Sequence, residues 1–123
     1  MEFTNVVETR RSVREYDASR KVERSVVEEI IKEASYAPSW KNSQTARYHC
    51  IMSEDIIKEV EQECLPEFNA KNADGASAII VASFVNHRSG FERDGSKSNE
   101  LGDGWGCYDL GLNNMIFLLK AHE

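Results

Sequence analysis

Arg10, Arg11 and Arg14 crowd around Ser12 in the stretch TRRSVREY. A guanidinium presents a planar fork of N–H donors that matches phosphate oxygens, and a serine hydroxyl adds another donor. If the segment is extended, Arg10, Ser12 and Arg14 share one side and can line a single elongated anion. Residues 10–24 carry six cations and three anions within a chain of formal net charge −6. The positive excess is therefore local and suits a small anion, whereas the overall acidity disfavours general nucleic-acid binding. The plainer alternative is a solvated basic turn paired with Glu8, Glu15 and Asp17.

A second group of donors follows in APSWKNSQTARYH. Ser39, Asn42, Ser43 and Gln44 can hydrogen-bond the edge of a polar heterocycle or a ribose-like chain, and Trp40 offers an apolar wall. The plainer alternative here is an ordinary helix-to-strand turn, for which Pro, Ser and Asn are common. His49, His87 and His122 have no helical i, i+4 partner and no Cys at a metal-ligand interval, so no metal site is expected. Cys50, Cys64 and Cys107 are odd in number and lack CxxC spacing, which argues against a disulfide framework and for a reduced, cytoplasmic setting. No GxSxG, Walker A or GxGxxG sequence occurs, so any catalysis is expected to rest on a bound cofactor.

The elements that must position these groups follow from periodicity. A short helix over 3–10 is expected, capped by Thr4 or Asn5, with Val6 and Val7 inward. SVVEEIIKEASYA predicts a helix with a Ser25/Glu28 capping box and an apolar face of Val27, Ile30, Ile31 and Ala34, stopped by Pro38. ARYHCIM has strand composition, and Ser53 is placed to cap a helix whose Ile56, Ile57, Val60 and Cys64 share a face. ASAIIVASFV, residues 76–85, predicts a strand covered on both sides. Residues 86–104 read as a long, mobile loop. The 105–122 segment reads as a helix apolar nearly all round, which wants burial in a core or a subunit interface. No signal peptide or membrane-spanning run is visible. The order of elements implies one α+β domain over 1–123, although two strong strands make a poor sheet.

Taken as an ordered pair, the two donor-rich stretches resemble the nitroreductase family of FMN flavoproteins. Arg10-Arg11-Ser12-Val13-Arg14 is similar to the family's R-R/H-S-x-R/K motif, and Ala37-Pro38-Ser39-Trp40-Lys41-Asn42-Ser43-Gln44 to its A-P-S-x-x-N-x-Q turn. Thr45 stands where proline is common, a departure expected to loosen the turn. ADGASAIIVAS resembles the second core strand, and YDLGLNNMIFLLKAHE the long dimer helix. The resemblance implies an α/β/α sandwich, a central sheet flanked by helices, incomplete at the C-terminus and matching the N-terminal two-thirds of a family domain.

It further implies an FMN-dependent NAD(P)H oxidoreductase that works by a ping-pong route on nitroaromatics, quinones or similar electrophiles. The flavin carries the chemistry, so no side chain is assigned as catalytic. Arg10, Arg11, Ser12 and Arg14 would bind the phosphate, ribityl and pyrimidine side, with Arg14 near N1 and the C2 carbonyl, where a fixed cation favours the reduced ring. Pro38, Ser39, Trp40 and Asn42 would reach FMN from the second subunit of a homodimer. Asn69 would bond the isoalloxazine edge, with Asn72 as a rival. The family's later strands, its glycine-containing loop near N5 and its late basic residues have no counterpart in these 123 residues. Weak FMN binding is therefore expected of this form, and a non-catalytic dimerising remnant is the alternative. A third reading is an arginine-lined site for some other phosphorylated ligand.

Overall fold

A computed structural model describes residues 2–123. Among these described residues, five α-helices and two strands follow in the order α1 (Phe3–Thr9), α2 (Arg24–Ala34), β1 (Ala46–Ile51), α3 (Glu54–Glu63), α4 (Glu67–Ala73), β2 (Ile79–Phe84) and α5 (Gly104–His122). A 3-10 turn over Trp40–Asn42 separates α2 from β1. This is an α+β fold, and its longest element, α5, is the one against which α1, α2, β1 and β2 pack.

α2 is amphipathic in the expected sense, with Val27, Ile30 and Ala34 buried. Its start differs from expectation. The helix begins at Arg24, and Arg24 binds Glu28 at 2.7 Å, so Glu28 reaches sideways and no capping box forms. α1 likewise starts before Thr4 and Asn5, because the Val6 N–H already bonds the Glu2 carbonyl at 3.1 Å. Val6 is buried beside Ile116 and Leu119, whereas Val7 is exposed. In α3, Ser53 is the N-cap residue as expected, though its side chain makes no capping bond. Ile57 is buried and Ile56 and Cys64 are exposed. α4, which carries Asn69, was not foreshadowed in the sequence pattern; Pro66 stands at its N-cap.

β1 and β2 pair antiparallel, Ala46 opposite Phe84 and Tyr48 opposite Ala82. The face bearing Tyr48, Ala82 and Phe84 meets α5: the Tyr48 hydroxyl donates to Asn114 Oδ1 at 2.9 Å, and its ring lies 5.3 Å from Phe117. Burial pushes the Tyr48 phenol up from its ordinary pKa. A Cβ at Gly106 would stand 2.4 Å from the Phe84 ring, so only glycine lets helix and strand approach this closely. The expectation of cover on both faces fails at β2. Val81, on the opposite face, is exposed.

Residues 86–104 also depart from the expected mobile loop. Ser89 and Phe91 are buried, Phe91 bridges to Lys97, and Ser98 N–H bonds the Gly90 carbonyl at 2.8 Å. Gly90, at φ +84°, lies so close to Gly102 and Trp105 that a side chain would collide with both. The loop is held because α5 offers it polar anchors that composition alone did not reveal.

Candidate functional site

The arginine stretch leaves α1 at Arg10 with φ −58° and ψ 132°, an extended conformation, and runs without regular structure to Tyr16. Arg11 folds back, its guanidinium donating to the Glu8 and Arg10 carbonyls at 2.8 Å. Among the described residues, neither the Arg10 nor the Arg14 guanidinium has a hydrogen-bond or ion-pair partner. Glu8 and Glu15 form no ion pair with them, and Asp17 is turned to Ser19, whose hydroxyl and N–H hold its pKa below the usual carboxylate value. The paired basic turn therefore does not form. Ser12 and Arg14 are exposed and Arg10 is half-buried. Two unspent guanidinium forks on an extended, solvent-facing segment are competent to receive an anion.

The second stretch is a strained turn with its own supports. Lys41, Asn42 and Gln44 all have positive φ, at 46°, 54° and 51°. Ser39 Oγ accepts the Gln44 N–H at 2.9 Å, and Gln44 Nε2 donates to Asn42 Oδ1 at 3.1 Å. Pro38 and Asn42 are exposed, and Ser39 and Trp40 half-buried. Trp40 stacks at 4.7 Å on Trp105, which in turn meets Tyr108 edge-on at 5.9 Å. The Trp40 N–H donates at 2.9 Å to Asp109, a residue the sequence reading passed over. Thr45, expected to loosen the turn, is buried, and its carbonyl takes the Val85 N–H at 2.9 Å, fixing the entry to β1.

α1, which leads into the arginine stretch, and the second stretch pack against opposite halves of α5. Trp40 meets Trp105 and Asp109, whereas α1 lines a groove with Ile116, Leu119 and Lys120, and Thr9 Oγ1 lies 2.8 Å from His122 Nε2. At 1.5 Å rise per residue, Asp109 and Leu119 stand about 15 Å apart along the helix. Beyond Tyr16 the chain passes the end of α4, where Gly75 approaches the Tyr16 carbonyl and the Val22 N–H binds Ser77 Oγ at 2.9 Å. Asn69 is exposed on α4 and its rival Asn72 is half-buried there. No group of acidic, His or Cys side chains among the described residues could hold a metal ion.

The family model described as "Nitroreductase family" matches residues 7–91, which contain both stretches. The chain belongs to the nitroreductase family. "Putative NAD(P)H nitroreductase YdgI" of Bacillus subtilis (strain 168) is 33% identical over 102 residues, covering 82% of this chain and 48% of that protein. The chain thus spans about half the length of the curated relative it matches. Solved nitroreductases share the fold across almost the whole chain. A nitroreductase family protein from Clostridium novyi NT superposes with TM-score 0.75 at 22% identity, covering 99% of this chain and 64% of the other. A "putative nitroreductase in complex with FMN" from Exiguobacterium sibiricum 255-15 gives TM-score 0.75 at 24% identity, covering 99% and 70%.

The family-model match ends at residue 91, before α5. The fold likeness extends through it. Asp109 lies in that C-terminal region, and no motif pointed to it. One signal could have done so: Asp109 and Asn113 sit four residues apart on a helix otherwise rich in apolar side chains.

Proposed function

We propose that this chain forms the FMN-binding part of a homodimeric oxidoreductase that draws on NAD(P)H and serves small electrophilic acceptors such as nitroaromatics or quinones. One observation carries the reading: the unpartnered Arg10 and Arg14 guanidinia on an extended segment of a nitroreductase-family chain. The donor set fits the cofactor, since an anionic phosphate and an electron-rich ring edge are the groups such forks bind best. Arg10, Arg11 and Ser12 would hold the phosphate and ribityl chain, and Arg14 would set a fixed positive charge against the pyrimidine edge. Pro38, Ser39, Trp40 and Asn42 would close the site from the partner subunit, and Asn69 would reach the ring edge. When bound, FMN supplies the redox chemistry by passing a hydride equivalent between donor and acceptor.

A dimer is supported independently. The chain exposes 8897 Å², about a third more than the roughly 6,700 Å² expected of a compact 14.0 kDa monomer. On α5, Tyr108, Met115 and Leu118 are exposed along one stripe. The separation of the two donor stretches along α5 also favours a site shared by two copies. No helix of the described residues is long and apolar enough to cross a membrane; a cytoplasmic setting is part of the same proposal.

The test is an absorbance and fluorescence titration of the purified chain with FMN, followed by an NAD(P)H oxidation assay. Arg14→Ala should weaken FMN about 10- to 100-fold, the loss of one charge-assisted bond of roughly 1.5–3 kcal/mol. Absence of FMN affinity in the unaltered chain, or an Arg14→Ala variant that binds equally well, overturns the reading. FMN binding without turnover would leave a flavin-binding dimer that is not an oxidoreductase.

A further inference from the structure

Asp109 is 3% exposed and Ser89 is 1% exposed, and they are bonded to each other beneath the strained turn. Trp40 N–H and Ser89 Oγ–H converge on the same carboxylate oxygen, at 2.9 and 2.6 Å. An ionised carboxylate only accepts, and a serine hydroxyl has one proton. Ser89 must therefore donate to Asp109 and accept from Ser43 Oγ, 2.7 Å away. The direction of the chain is fixed as Ser43 to Ser89 to Asp109. Both ends of the 3-10 turn are thereby tied to α5, Trp40 directly and Ser43 through the 86–104 loop. Trp105, one helical turn before Asp109, packs against the Trp40 ring while Asp109 accepts from the Trp40 backbone N–H; the buried indole N–H of Trp40 has no partner among the described residues.

We propose that Asp109 is the positioning residue of the Ser39–Gln44 turn, acting directly on Trp40 and through Ser89 on Ser43. The need for it is visible in the backbone. Three of the four residues from Lys41 to Gln44 have positive φ without being glycine, a conformation that persists only where surroundings impose it. The bonds within the turn, including Ser43 N–H to the Trp40 carbonyl at 2.8 Å and Ser39 to Gln44, close it on itself but do not tie it to α5. Asp109 also fixes where the donors of Ser39 and Asn42 face. The consequence for cofactor affinity rests on the proposed flavin site; the positioning itself does not.

Two stacked indoles at 4.7 Å and 44° should give an exciton couplet in far-ultraviolet circular dichroism, assignable by its loss in Trp105→Phe. In Asp109→Ala the couplet should fall to less than half, and FMN affinity should drop at least about tenfold. Asp109→Asn, which keeps an acceptor oxygen in place, should restore most of both. If Asp109→Ala does not fold, Ser89→Ala removes only the indirect arm and should still diminish the couplet. A folded Asp109→Ala with the unaltered couplet overturns the proposal, as does an unchanged couplet in Ser89→Ala when Asp109→Ala is unfolded. A couplet that collapses in Asp109→Ala and recovers in Asp109→Asn while FMN affinity never changes upholds the positioning role and removes the turn from the flavin site.

Discussion

α2 and α5 lie against each other, yet they are built on opposite plans. α2 turns Val27, Ile30 and Ala34 inward and leaves Glu28, Glu29 and Lys32 in solvent. α5 turns Gly106, Asp109 and Asn113 inward and leaves Tyr108, Met115 and Leu118 exposed. Its outer stripe, Gly104, Tyr108, Gly111, Met115, Leu118 and His122, alternates steps of four and three, the spacing of a seam between helices. α2 is a helix of one subunit's core. α5 uses its buried polar residues, together with Ile116, Phe117 and Leu119, to organise its own chain and presents a second apolar stripe outward. Asn113 Nδ2, for example, donates at 2.7 Å to the Ala34 carbonyl at the end of α2, which also accepts the Ala37 N–H at 3.1 Å.

If that contrast is right, the two helices fail differently when altered. Leu118→Glu should leave the fold intact but raise the dimer dissociation constant at least about a hundredfold, since it buries an unpaired charge at the seam. Analytical ultracentrifugation reads this directly, and an unaltered variant that is monomeric at micromolar concentration would break the comparison. Ile30→Ala should do the reverse, costing about 2–5 kcal/mol in chemical denaturation through lost burial and a residual cavity. Asn113→Leu tests the polar inner face of α5: removing one of the two bonds to the Ala34 carbonyl should cost about 0.5–1.5 kcal/mol despite the added apolar surface. A neutral or stabilising result there would mean that the inward polarity of α5 is incidental.

Gly111 sharpens the comparison with the smallest structural change. Nothing in the chain lies within 4 Å of a Cβ placed there, so alanine should strengthen the isolated helix by about 1 kcal/mol. The same methyl should weaken self-association if two α5 helices cross at that point. A variant more stable and equally dimeric would move the crossing elsewhere.

The weakest effect concerns acid. Ser98 and then Lys41 hold the Glu92 carboxylate below its ordinary pKa, tying the loop to the strained turn. A depressed folded pKa contributes stability that is present above the unfolded value and lost as pH falls through the folded one. The Lys41–Glu92 contact should therefore loosen below the ordinary carboxylate range, and Glu92→Gln should abolish that pH dependence in local amide exchange.

How much of this was legible in the sequence varies by element. Val27, Ile30 and Ala34 declared the α2 face through their spacing alone, and the paired motifs around Ser12 and Pro38 named the family before any coordinates. Helix starts were less legible, because Arg24–Glu28 pairing competes with a Ser25 cap and the winner depends on geometry. α4 was missed, since a seven-residue helix carries too few apolar positions to show a period.

What the sequence determined by itself was the local pattern: which segments are helical or extended, and which residue types cluster near one another along the chain. The tertiary structure alone decided that Asp109 would meet a turn 69 residues earlier and that α5 would leave Tyr108, Met115 and Leu118 outward. The physical reason is that local preferences act over a few residues, whereas the inward face of a helix is chosen by what packs against it. On α5, polar partners at Trp40, Ser89 and Ala34 claimed the inner face.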